Sequence, residues 1–261
     1  MGHERVGALP KSKQWREVVQ GLSSLGTRPA LVEAVASDTL NLVKGQFRAL
    51  QTDPAVRAAF SFLVTVAVSA RGSQLSLAVG TVTPQKDVKP LLVAIALRRA
   101  VAPHVQNPEL GIIAQDAAAD ALRKWHLSQV SKPQEGLFSE AEYSPDPWVE
   151  LGNAGGFCEL SRLYFASISE RYLNFFLERE AASALGTIQA RQRVHDELEA
   201  HLEDVSKHAF ETARITQSFA AGWFTKHASR GVPSDKEVRG FVAHALGKIR
   251  GELNREAPAH K

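Results

Sequence analysis

Three dipeptides punctuate this chain in the same way: Asp53-Pro54, Asn107-Pro108 and Asp146-Pro147. An Asp or Asn side-chain oxygen accepts from the free N–H groups of a first helical turn. Proline fits that turn because its missing N–H would have no partner there. Each pair therefore reads as a helix start, and three starts predict short, well-bounded helices.

Hydrophobic spacing agrees. Trp15, Val18, Val19 and Leu22 recur at three- to four-residue steps within 11–25, before Gly26 and Pro29 break the pattern. Leu31, Val35, Leu42, Phe47 and Leu50 lie in a long Ala-rich stretch over 29–51. Residues 90–105 and 108–130 read as two further helices. In the second half, helices over about 157–185 and 188–229 would form an antiparallel hairpin around Gly186. Ser234-Asp235-Lys236-Glu237 has the spacing of a capping box, followed by the stripe Val238, Val242, Ala245, Ile249 and Leu253. The expected fold is mainly α: a multi-helix bundle with long antiparallel helices in its C-terminal half.

One region competes with that pattern. Phe60, Phe62, Val64, Val66 and Val68 alternate with their neighbours, and Leu75, Leu77 and Val79 alternate after a turn at 70–73. This is the pattern of a small β-hairpin near 60–83. The proline start and the Ala-rich first turn favour a helix over 54–70 instead.

The polar, Pro-containing segment 131–147 is the best internal boundary. It divides the chain into an N-terminal helical subdomain, 1–130, and a C-terminal one, 148–261, which carries the long hairpin. No period suggests a solenoid.

Composition narrows the function classes. A single cysteine excludes an internal disulfide and a cysteine-based zinc cluster, and points to the cytosol. The most apolar run, 60–68, is too short for a helical span of roughly 20 residues. The first 15 residues have no apolar core for a signal peptide, so no membrane partner is expected. Ala- and Arg-rich usage is that of a GC-rich bacterial gene. The net charge of +3 is unevenly spread. Residues 1–28 hold five Lys/Arg and two Asp/Glu, residues 226–261 hold eight and four, and the middle holds 18 and 22. Basic ends on an acidic body are a pattern that can meet a polyanion. The contact candidates are Lys11, Lys13, Arg16, Lys248, Arg250 and Arg255.

The motifs that would name an enzyme are missing. Gly152, Gly155 and Gly156 do not have the spacing of a dinucleotide fingerprint, and no Walker lysine follows them. They read as a flexible turn between helices, with glycines that adopt positive φ or let helices approach closely. Cys158 lies where a helix N-terminus could lower a thiol pKa, but its neighbours Leu160, Leu163 and Tyr164 have core spacing. Glu197, His201, Asp204, His208 and Glu211 share one helical stripe, without the matching set on a second helix that a di-metal site needs. They read as a solvated flank, and no metal or other cofactor is expected.

Six of the 19 aromatic residues fall within 157–176. So broad an apolar surface must be covered, by this chain's own core or by a partner. The favoured function is a non-catalytic adaptor or subunit of a bacterial cytosolic complex, with Tyr164, Tyr172, Phe176 and Trp223 as interface candidates. A defence-related operon is a background expectation with no residue behind it. The alternatives are a nucleic-acid accessory protein using the basic ends, and a thiol-dependent enzyme using Cys158.

Overall fold

The computed structural model describes residues 44–71, 90–130, 147–184, 187–189, 191–193, 195–196, 199–201, 203 and 219–256. Every regular element among them is helical. In order they are α1 (Lys44–Thr52), α2 (Pro54–Arg71), α3 (Pro90–Val101), α4 (Pro108–Val130), α5 (Pro147–Leu151), α6 (Ala154–Ala184), α7 (Phe219–His227) and α8 (Asp235–Glu256). Short 3-10 turns extend α3 over Ala102–His104 and α7 over Ala228–Arg230.

The chain is thus mainly α, and three helices begin at the prolines noted above. Asp53 Oδ1 accepts from the Val56 N–H at 3.0 Å. Asn107 Oδ1 accepts from the N–H groups of Glu109 and Leu110 at 3.0 and 3.1 Å. The capping box is formed as well. The Glu237 N–H donates to Ser234 Oγ at 3.4 Å, and Glu237 Oε2 accepts from the Ser234 N–H at 2.7 Å. Of the hairpin pattern, residues 60–71 are helix rather than strand, and 72–83 lie outside the described residues.

Helix α2 is the axis of the fold. Its residues are small and apolar on nearly every side, so neighbours can close around it: α3, α4, α5, α6 and α8 all pack against it. By length and composition it is also the one described helix that could cross a membrane, a test that a core helix passes too; 56% of it is buried within this chain. Phe60 lies at its centre, stacked on Phe241 of α8 at 4.9 Å between ring centroids and close to Phe165 of α6 at 5.0 Å. Phe157 of α6 stacks on Phe224 of α7 at 4.3 Å. Trp125 of α4 meets Trp148 of α5 at 5.9 Å. One continuous apolar core therefore draws on helices from both sides of 131–146.

The glycine turn has a packing reason. A Cβ on Gly152 would stand 2.6 Å from the Arg71 backbone nitrogen, and one on Gly156 only 2.1 Å from the Glu150 carbonyl oxygen. The turn between α5 and α6 is pressed onto the last turn of α2, and side chains there would wedge it away. Asn153 then caps α6, its Oδ1 accepting from the Gly156 N–H at 2.7 Å.

Candidate functional site

The aromatic candidates lie inside the protein. Tyr164, Tyr172 and Phe176 have no exposed surface. Trp223 is half-buried, 4.8 Å from the Phe241 ring and 5.9 Å from that of Phe157. The broad apolar surface of α6 is covered by this chain's own helices. Burial pushes the Tyr164 hydroxyl pKa well above its ordinary value, and Tyr172 likewise, so both stay protonated. Cys158 is half-buried and packs against the same core.

Of the basic candidates, Lys248 is half-buried with its ammonium 5.4 Å from the Phe219 ring centroid, and Arg250 is half-buried. Arg255 lies in the last turns of α8, while Lys11, Lys13 and Arg16 fall outside the described residues. Of the acid and histidine stripe, His201 is described and half-buried; Glu197, Asp204, His208 and Glu211 lie outside.

A polar seam between α4 and α6 escaped the sequence reading. Asp116, Asp120 and Lys124 repeat every four residues and so share one face of α4. Across from them α6 presents Arg162, Ser167, Glu170, Arg171 and Asn174. Residues 195–203 bring His195, Glu199 and Glu203 over the same seam. Lys124 Nζ donates to Glu203 Oε1 at 2.8 Å and to Glu199, and lies 3.6 Å from Asp120 Oδ2. Burial works against the Lys124 charge, but these carboxylates outweigh it and hold its pKa above the ordinary lysine value. Burial likewise opposes the Asp120 charge, and Arg123 and Lys124 more than offset it, holding the Asp120 pKa below its ordinary value. Arg162 reaches the Glu203 carbonyl at 3.3 Å while pairing with Glu159 at 2.6 Å.

Glu170 is the odd member. Its side chain is 5% exposed, and its partners are Asn174 Nδ2, which donates to Oε1, and His195 Nδ1 at 3.3 Å. Asn174 Nδ2 also lies 2.9 Å from His195 Nδ1. Burial pushes the Glu170 carboxyl up to about 7, although His195 and Arg171 pull the other way. The three side chains border a cavity of about 180 Å³, with Ile112, Ile113 and Phe175 as its apolar wall. A carboxyl that titrates near neutral pH beside a cleft is the most perturbed acid of the seam.

No protein-family model, curated protein or solved structure matches this chain. The geometry alone therefore carries the assignment.

His195, Asp196 and Glu199 bring one donor each within 4.8 Å of one another. Each also has another partner: His195 with Glu170 and Asn174, Asp196 with Gln192 at 2.8 Å, and Glu199 with Lys124. The sequence carries a partial signal, since Ser167, Ser169, Glu170 and Asn174 fall among the aromatic residues of α6; all four are buried.

Proposed function

We propose that this chain is a non-catalytic helical subunit that docks on another protein, in the cytosol of a bacterium. The observation that supports docking is the exposed apolar face of α3. Leu91, Leu92 and Ile95 are 70%, 49% and 41% exposed on consecutive turns of one helix. Apolar side chains grouped on a surface in this way mark interaction sites more often than scattered ones do. This face, rather than Tyr164, Tyr172 and Phe176, is the docking surface of the proposal. The other face of α3 holds Val93, Ala96, Leu97 and Val101 in the core, so the helix is fixed while its outer side stays open.

The long hairpin belongs to the same proposal. His195 opposite Glu170, and Glu203 opposite Arg162, support a chain that returns antiparallel to α6. This would make α6 a rigid spine for the docking helix.

The test changes Leu91 and Ile95 together to glutamate. Both are exposed, so unfolding should stay within about 0.5 kcal/mol of the parent. Proteins recovered with the parent chain, identified by mass spectrometry, should be lost from the variant. An unchanged set of recovered proteins would reject the α3 face as the docking surface.

A further inference from the structure

We infer that Glu170 is a proton-operated latch: in its protonated form it holds the His195 turn against α6, and loss of that proton loosens the contact. This inference is independent of docking through α3. It rests first on geometry. Glu170 is almost wholly enclosed, whereas His195, which helps to cover it, is 46% exposed; among the described residues of its stretch, polar ties to α4 and α6 include those to Glu170, Asn174, Lys124 and Arg162.

The cationic groups around Glu170, His195, Arg171 and Lys124, offset only part of the cost of its ionisation. Arg171, its neighbour on α6, directs Nε to Ser167 at 3.2 Å. On α4, Lys124 is shared among Asp120, Glu199 and Glu203, and Asp116 lies 3.7 Å from Arg98 of α3. On the covering stretch, Glu199 adds negative charge near Glu170, and the His195 ring faces it directly. An ionised Glu170 therefore has an amide and an imidazole for company, with Ile113 and Phe175 beside them. A buried carboxylate in such surroundings favours keeping its proton or regaining water. His195 lies over one side of that carboxylate, so displacing the His195 turn opens it further to water than the bordering cavity does.

The sign follows from linkage. A carboxyl raised from 4.5 to about 7 in the closed arrangement makes closure most favourable below pH 4.5. The advantage is lost as pH rises to about 7 and changes no further above that value.

Hydrogen–deuterium exchange from pH 5 to pH 8, corrected for the intrinsic rate, reads this directly. In the unaltered protein, the peptide carrying His195 should lose protection by about tenfold or more between pH 5 and pH 7, then level off. Peptides from α2 should stay constant. Glu170→Gln keeps the shape and never ionises, so its protection should be flat across the range. His195→Gln, at a half-exposed position, removes one of the groups that lower the Glu170 pKa, so the loss should move to higher pH. Three results would overturn the latch: flat protection in the unaltered protein, an unchanged pH profile in Glu170→Gln, or a profile abolished or unmoved by His195→Gln.

Discussion

The Tyr164 hydroxyl donates a 2.9 Å hydrogen bond to the Val56 carbonyl oxygen, tying α6 to the first turn of α2 across 108 positions of sequence. The ring carries the larger share of the contact, lying 5.7 Å from Phe60 and 5.0 Å from Phe165 between centroids. Tyr164→Phe should therefore cost only about 1 kcal/mol, the net value of one buried hydrogen bond. Tyr164→Ala should cost about 3–5 kcal/mol, because the ring volume is left empty among neighbours that cannot collapse. Urea unfolding of the two variants measures the difference. Equal, small losses would mean that the ring is not part of the core.

The glycine turn makes a position-specific prediction. Gly152→Ala sets a methyl group against the backbone of Ala70 and Arg71, and backbone cannot rotate away. Destabilisation of about 1–3 kcal/mol is expected. Gly155 differs: a Cβ there meets only the Asn153 side-chain oxygen, at 3.3 Å. Gly155→Ala should stay within about 1 kcal/mol of the parent, the helix-forming gain of alanine being set against crowding of the capping oxygen. Thermal unfolding of both variants separates a turn that needs close backbone approach from one that merely bends.

Helix starts were legible because they depend on neighbours in sequence. Asp53, Asn107, Ser234 and Glu237 all bond within three residues of themselves, so the dipeptide or tetrapeptide carries the whole signal. The alternation over 60–71 competed with the helix reading, which the structure bears out, for the opposite reason. A helix surrounded by other helices has no polar face, and its β-branched residues can then mimic a strand. Which side of α6 faces solvent was not legible either. Tyr164, Tyr172 and Phe176 look alike as buried or as exposed aromatics until α2, α4 and α7 are placed around them. The burial of Glu170 was not legible because it depends in part on His195, 25 positions away.

Lys124 gives the last prediction, and it turns on acid. One ammonium, 22% exposed, faces Asp120, Glu199 and Glu203. Lys124→Met keeps most of the apolar stem but leaves three carboxylates around an uncharged chain, so about 1–3 kcal/mol should be lost at pH 7. The Asp120 pKa lies below its ordinary value of 3.8. The stability gained from it is present above that value and lost as pH falls through the depressed one. Removing Lys124 takes away one of the charges that depress it, so the variant should give up less stability on acidification than the parent does. The gap between the two urea midpoints should therefore be widest near pH 7 and narrow towards pH 3. A gap that stayed constant would mean that Lys124 acts by packing its stem, not by neutralising the carboxylates that hold residues 199–203 to α4.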